Sequence, residues 1–194
     1  VKTKEHTMTT TAPRTQTQLP TPGRWQIDPS HSSVEFVVRH LMVAKVRGRF
    51  AEFSGDIHVG ETPEESKVVV AIAPASISTG DEQRDGHLKS PDFFDVEQYP
   101  TITFASTGVR TVGDRYALDG ALTVNGEAKP VTLDLEYQGS ITDPFGNDKA
   151  VFSASTEIDR EDWGLTWNQT LETGGVLVGK KARIEIEIEA VQQA

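Results

Sequence analysis

The chain has 194 residues, no cysteine and a formal charge of −10. That length can bury a sizeable core without staples, and the absence of thiols excludes disulfides and thiolate metal sites. An acidic protein repels nucleic acid and anionic membrane surfaces at long range, and no apolar run approaches the ~20 residues that span a bilayer.

Residues 1–23 contain eight threonines and three prolines but almost no large apolar side chain. Such a segment cannot bury enough surface to offset its ordering entropy, so a disordered tail is expected there and a folded domain over residues 24–194. The tail carries a charge of +2, which leaves −12 on the folded part. It lacks the apolar core of a secretory signal, so the expected location is the cytoplasm.

From Arg24 onward the dominant period is two, the mark of half-buried strands. Candidate strands run through 25–28, 33–39, 50–59, 67–78 and 101–110. Alternation then continues in Tyr116, Leu118, Gly120, Leu122 and Val124, in Val131, Leu133, Leu135 and Tyr137, and in Phe152, Ala154, Thr156 and Ile158. It is clearest at the end of the chain. There Ala182, Ile184, Ile186, Ile188 and Ala190 share one face, and Arg183, Glu185, Glu187 and Glu189 share the other. Asn125-Gly126 is a strong hairpin signal between two such runs, and Val112-Gly113-Asp114 and Asp143–Asn147 are further turns. About eight strands joined mainly by hairpins predict an all-β fold, an antiparallel barrel or sandwich, and a barrel removes exposed edges. Two short helices are expected. One lies near 80–89, with Thr79 and Glu82 as a capping box and a stop before Pro91. The other is a single turn over 40–44.

Several motifs touch on chemistry without completing it. Gly174–Lys180 matches most of a phosphate-binding loop, but Lys181 stands where a Mg²⁺-binding hydroxyl is required and a strand follows instead of a helix. The five histidines lack zinc-helix spacing, so no metal and no cofactor is expected. Asp28, His31 and Ser32 contain the side chains of a hydrolase triad, but residues this close on a strand point to different faces, and no nucleophile elbow is present. Aromatic residues recur near strands, while many inward positions are small or medium: Val68, Val70, Ile72, Ser106, Gly120, Ala154 and Ala182. A closed eight-stranded barrel either fills with side chains or encloses one small ligand, and this composition favours a cavity.

Asp28–Phe36, followed by Arg39-His40-Leu41 and Gly48-Arg49-Phe50, resembles the opening of YceI-like proteins. Leu88–Asp95 leading to Tyr99–Phe104 is similar to their central signature. Leu122–Gly126 with Lys129–Val131, Asp159–Leu165 and the closing Val178-Gly179 strand also fit, in the expected order over residues 24–191. The resemblance implies an eight-stranded antiparallel, lipocalin-like barrel with a long apolar tunnel. It implies a polyisoprenoid, an isoprenoid quinone or a fatty-acid amide as ligand, and a homodimer in many members. The lining residues expected from their inferred inward phase are Phe36, Val70, Ile72, Phe93, Phe94, Phe104, Leu122, Phe152, Trp163 and Trp167. His31 and His40 are expected to orient a headgroup by donating a hydrogen bond. Binding without catalysis is the primary reading. The alternative is an enzyme acting on a small hydrophobic substrate, with His31, His40 or His87 as acid or base.

Overall fold

The computed structural model describes residues 19–172 and 174–194. Its first strands come as broken pairs. β1 (Gly23–Ile27) and β2 (Ser33–His40) are two halves of one rising strand, interrupted by a 3-10 turn at Pro29–His31. β3 (Ala44–Phe50) and β4 (Phe53–Val59) descend, broken at Ala51-Glu52. β5 (Lys67–Ile72) and β6 (Ile77–Ser78) rise again around a second 3-10 turn at Pro74–Ser76. Proline suits both turns, because its fixed φ fits a helical start and it has no N–H to lose from a ladder. The breaks are stitched across the sheet: Ala73 N–H donates to the Glu52 carbonyl at 2.9 Å, and Glu52 N–H donates to Ser76 Oγ at 3.0 Å.

Five strands complete the meander: β7 (Ile102–Val112), β8 (Arg115–Val124), β9 (Glu127–Thr142), β10 (Asp148–Asp159) and β11 (Val178–Gln192). The sheet runs β1-β4-β5-β7-β8-β9-β10-β11, and β1 pairs back onto β11, so eight strands close a ring. The upper halves β2, β3 and β6 extend the same order from β11. Every ladder is antiparallel, and the molecule is the expected eight-stranded antiparallel barrel. At the Asn125-Gly126 hairpin both residues have left-handed φ values, 49° and 77°, as that turn requires.

Only one segment among the described residues forms an α-helix, α1 (Glu82–Lys89). Asp81 caps it by accepting from Arg84 N–H at 2.9 Å. The expected cap, Thr79, instead meets Asp85 and Arg84 through its hydroxyl. The helical turn expected over 40–44 is a tight hairpin turn, because His40 pairs with Ala44 and only Leu41–Val43 lie between. Most of the expected tail falls on residues 1–18, outside the described residues. Of the rest, Leu19 packs against the core and Gly23 opens β1. Trp25, almost wholly buried, donates its indole N–H to the Thr21 carbonyl at 3.0 Å.

Two glycines decide how the interior is filled. A Cβ on Gly48 would lie 2.2 Å from the Phe36 ring across the β2–β3 ladder, and one on Gly120 would lie 2.4 Å from the Phe104 ring and 2.7 Å from the Ala105 carbonyl. Each ring therefore lies against bare backbone. Gly120→Ala is expected to destabilise the barrel by about 1–3 kcal/mol through overpacking, measured as a lower urea midpoint with an unchanged slope.

Candidate functional site

Inward-facing residues leave two cavities in series. The upper one, toward α1 and the β2–β3 turn, has a volume of about 690 Å³, and the lower one about 160 Å³. They share Val34, Ile72, Leu122 and Ile184, which form an apolar waist between them. The upper volume lies within the ~300–1,000 Å³ range of small-molecule pockets. β11, at ~3.3 Å per residue, is ~50 Å long, and a tilt of ~40° leaves a barrel height near ~38 Å. The interior thus suits a long, thin guest.

Phe36, His40, Phe93, Phe94, Trp163 and Trp167 line the upper cavity; Val70, Phe104 and Phe152 line the lower one; Ile72 and Leu122 belong to both. Of the residues nominated from sequence, only His31 lies outside both cavities. The 3-10 turn at Pro29–His31 carries its side chain onto the outer wall, where it is 60% exposed.

Polarity is unequally distributed. Among the described residues, no Asp, Glu, Lys, Arg or His lines the lower cavity, whose lining includes Leu19 and Pro20. Glu35, Arg39, His40, Asp81, Arg84, His87 and Arg160 all reach the upper one. His87 bonds Asp92 through Nε2 at 2.8 Å, and its ring packs edge-on against Trp167 and Phe93 at centroid distances of 4.6 and 5.1 Å. Trp163 donates its indole N–H to the Leu122 carbonyl at 3.0 Å, tying the turn after β10 to β8.

Arg160 is the buried polar residue that sequence reading missed. It is 5% exposed. Its Nε donates to the Gly179 carbonyl at 3.0 Å and its Nη1 to the Leu165 carbonyl, while Nη2 has no protein partner. Burial pulls its pKa below the ordinary value, opposed by the charges of Asp159 and Glu161. Those carboxylates face other cations, Lys181 at 3.9 Å and Lys180 at 2.7 Å. In sequence, Arg160 stands between Asp159 and Glu161 and reads as one more member of a solvated charge run.

A YceI-like domain model matches residues 25–190. The chain belongs to the YceI-like family. It is 39% identical over 170 residues to a UPF0312 protein of Staphylococcus aureus (strain MSSA476), covering 84% of this chain and 94% of that one. The barrel is similar to the Campylobacter jejuni YCEI protein, with a TM-score of 0.68, 30% identity, and 80% and 90% of the two chains covered. Its fold also matches BcnA of Burkholderia cenocepacia, with a TM-score of 0.74, 22% identity, and 84% and 98% coverage. A polyisoprenoid binding domain from Saccharophagus degradans shares the fold at a TM-score of 0.67 and 16% identity, over 87% and 98% of the chains.

The outer wall of this YceI-like barrel carries the Asp28-centred cluster. Ser30 Oγ donates to Asp28 Oδ1 at 2.5 Å, and His31 Nδ1 meets both Asp28 Oδ2 at 2.8 Å and Ser30 Oγ at 3.1 Å. Both contacts use one ring nitrogen, so the histidine does not relay between serine and carboxylate as a triad does. Ser32, the serine singled out in sequence, instead accepts from Glu189 N–H at 3.0 Å. Asp28, His31 and Glu189 lie close enough to hold a metal ion. Lys149 already supplies a positive charge there, 2.5 Å from Glu189 and 4.0 Å from Asp28.

The Ser30 hydroxyl and then His31 hold the Asp28 carboxyl at about 2, below its ordinary 3.8. The folded state therefore prefers the carboxylate, and the resulting stability is complete above the ordinary value and lost as pH falls through the folded one. Denaturation midpoints measured between about pH 4 and pH 2 should fall steeply for the natural chain. They should fall less for Asp28→Asn, which has no proton to take up at this site.

Proposed function

We propose that this protein binds a long apolar molecule, a polyisoprenoid, isoprenoid quinone or fatty-acid amide, threaded through both cavities, and that it serves as a carrier without catalysing a reaction. The observation that carries this reading is the pair of cavities in series, meeting at four shared apolar residues and lined by charged groups only at the upper end. Burial of a methylene is worth ~0.8 kcal/mol, so each five-carbon unit contributes ~4 kcal/mol gross, and three or four units outweigh the cost of ordering. The charge-free lower cavity suits a hydrocarbon tail, while His40, Arg84 and the buried Arg160 surround the end where a polar head would rest. The fold shared with a polyisoprenoid binding domain supports the same class of ligand. The enzyme reading loses one of its three acid–base candidates, because His31, on the outer wall, cannot reach a molecule held inside, whereas His40 and His87 line the upper cavity.

Native mass spectrometry with organic extraction tests the proposal. The purified protein should carry, or take up on incubation, one chain lipid per barrel. A barrel that neither carries nor accepts any isoprenoid or fatty amide would overturn the reading. Leu122→Trp should plug the waist. The folded variant should then lose long-chain guests while retaining a guest short enough for the upper cavity, and equal retention of both by that variant would contradict a tunnel through the waist. Conversion of a bound lipid that disappears in His40→Ala would favour the enzyme.

A further inference from the structure

We propose that the turn between β2 and β3 is a membrane-docking tip, which seats the upper mouth of the barrel on the surface of an anionic bilayer. Leu41, Met42 and Val43 occupy that turn and are 43%, 58% and 78% exposed. Three consecutive apolar residues at an exposed tip oppose the ordinary drive to bury such surface. Their backbone sharpens the point. Leu41 and Met42 have left-handed φ values of 52° and 66°, a region that bulky side chains rarely enter and that hairpins normally fill with Asn and Gly. The chain follows that rule at Asn125-Gly126 and departs from it here.

The tip adjoins the cavity it would serve. Leu41 N–H donates to the Leu177 carbonyl at 2.9 Å, and Leu177 and His40 both line the upper cavity. A molecule leaving by that end emerges beside the apolar turn.

Charge selects the partner. Residues 36–51 and 174–183 contain seven lysines and arginines (Arg39, Lys45, Arg47, Arg49, Lys180, Lys181 and Arg183) and no acidic residue, in a chain of net charge −10. These segments are neighbours, since β11 pairs with β2 and β2 with β3. Glu185 faces both Arg47 and Arg183, and Glu161 and Asp159 face Lys180 and Lys181. Arg39 and Lys45 stand exposed beside the turn, paired across the ladder, and neither is in an ion pair among the described residues. Glu35 lies opposite Arg49 across the ladder, so the cations left to mark the tip within this acidic chain are Arg39 and Lys45. The opposite end provides the contrast, because Phe145 is 89% exposed but its turn carries Asp143 and Asp148. An apolar wedge rimmed by cations matches a bilayer interface with anionic headgroups. A second copy fits less well: a two-fold contact would set the cations against themselves, and three side chains fall far short of the ~800 Å² per partner of a stable interface.

The proposal rests on the carrier reading for its purpose, but its test needs no ligand in the barrel. Full-length protein should co-sediment with vesicles of phosphatidylcholine mixed with phosphatidylglycerol and much less with phosphatidylcholine alone, and added salt should release it. The triple substitution Leu41→Ser, Met42→Ser and Val43→Ser should reduce partition on the order of tenfold, and Lys45→Glu at least fivefold, since each cation near such a surface contributes about that factor. Phe145→Ser should change nothing. Because the chain has no cysteine, Met42→Cys accepts a single environment-sensitive dye, whose emission should shift to the blue on the mixed vesicles, whereas a dye at Phe145→Cys should not respond. Unchanged partition of the folded triple variant, or a silent dye at position 42, would overturn the proposal. So would a natural chain that ignores vesicles but is a dimer that the triple variant dissociates. Failure to extract a lipid would count against the carrier reading and leave the vesicle result standing.

Discussion

β11 is paired along both edges, and the rest of the barrel depends on that pairing. One edge takes β10 over nearly its full length, from Lys181 opposite Asp159 to Val191 opposite Lys149. The other edge is divided, with β2 against its first half and β1 against its end. A strand of period two held on both sides has no freedom of register, because a slip of one residue would turn Ile184, Ile186 and Ile188 outward and the glutamates inward. The bend between β1 and β2 thus falls where β11 exchanges one partner for the other. The same closure sets both cavities inside one ring of strands, and it is why they share four lining residues.

The fold was legible in sequence where local pattern and tertiary role coincide. The late strands alternate cleanly, and Asn125-Gly126 states its own turn chemistry. Most interior aromatics could be assigned because their inward phase follows from that alternation. What escaped has a physical reason in each case. The breaks at Ala51-Glu52 and Ala73–Ser76 are satisfied by bonds to each other across the sheet, which no local window contains. Leu41–Val43 looked helical because apolar residues in left-handed conformations lie outside the usual vocabulary of turns. His31 was placed near the ligand by its neighbours in sequence, yet a three-residue turn was enough to direct it outward. Arg160 was hidden by its flanking acids, although those acids have lysine partners and leave it facing backbone carbonyls.

The distribution of polarity gives the barrel a direction. Its lower cavity is free of charged groups, with Leu19 and Pro20 in its lining, while its upper cavity gathers imidazole, guanidinium and carboxylate groups among aromatic rings. A guest with one polar end is therefore oriented by the cost of burying that end without a hydrogen bond. The outer surface repeats the asymmetry, with cations around the β2–β3 turn and acids around the turn that carries Phe145. Interior and exterior thus place most of their cationic groups at the same end of the barrel.

The wall is not uniform in kind. β6 pairs with β3 alone, and the chain next passes through α1 and the segment to Pro100 before β7 begins. Elsewhere each strand is bound to its neighbours by a ladder, so parting them means breaking a row of backbone bonds together. On the upper flank the cover is one short helix, with bonds mainly to itself, and a loop fastened at points such as the Asn125 amide to the Phe93 carbonyl. Such a patch can open on its own, at a free energy below that of global unfolding. On this flank the cover over the upper cavity is thus side-chain packing and single bonds, whereas the rest of the wall is a continuous ladder.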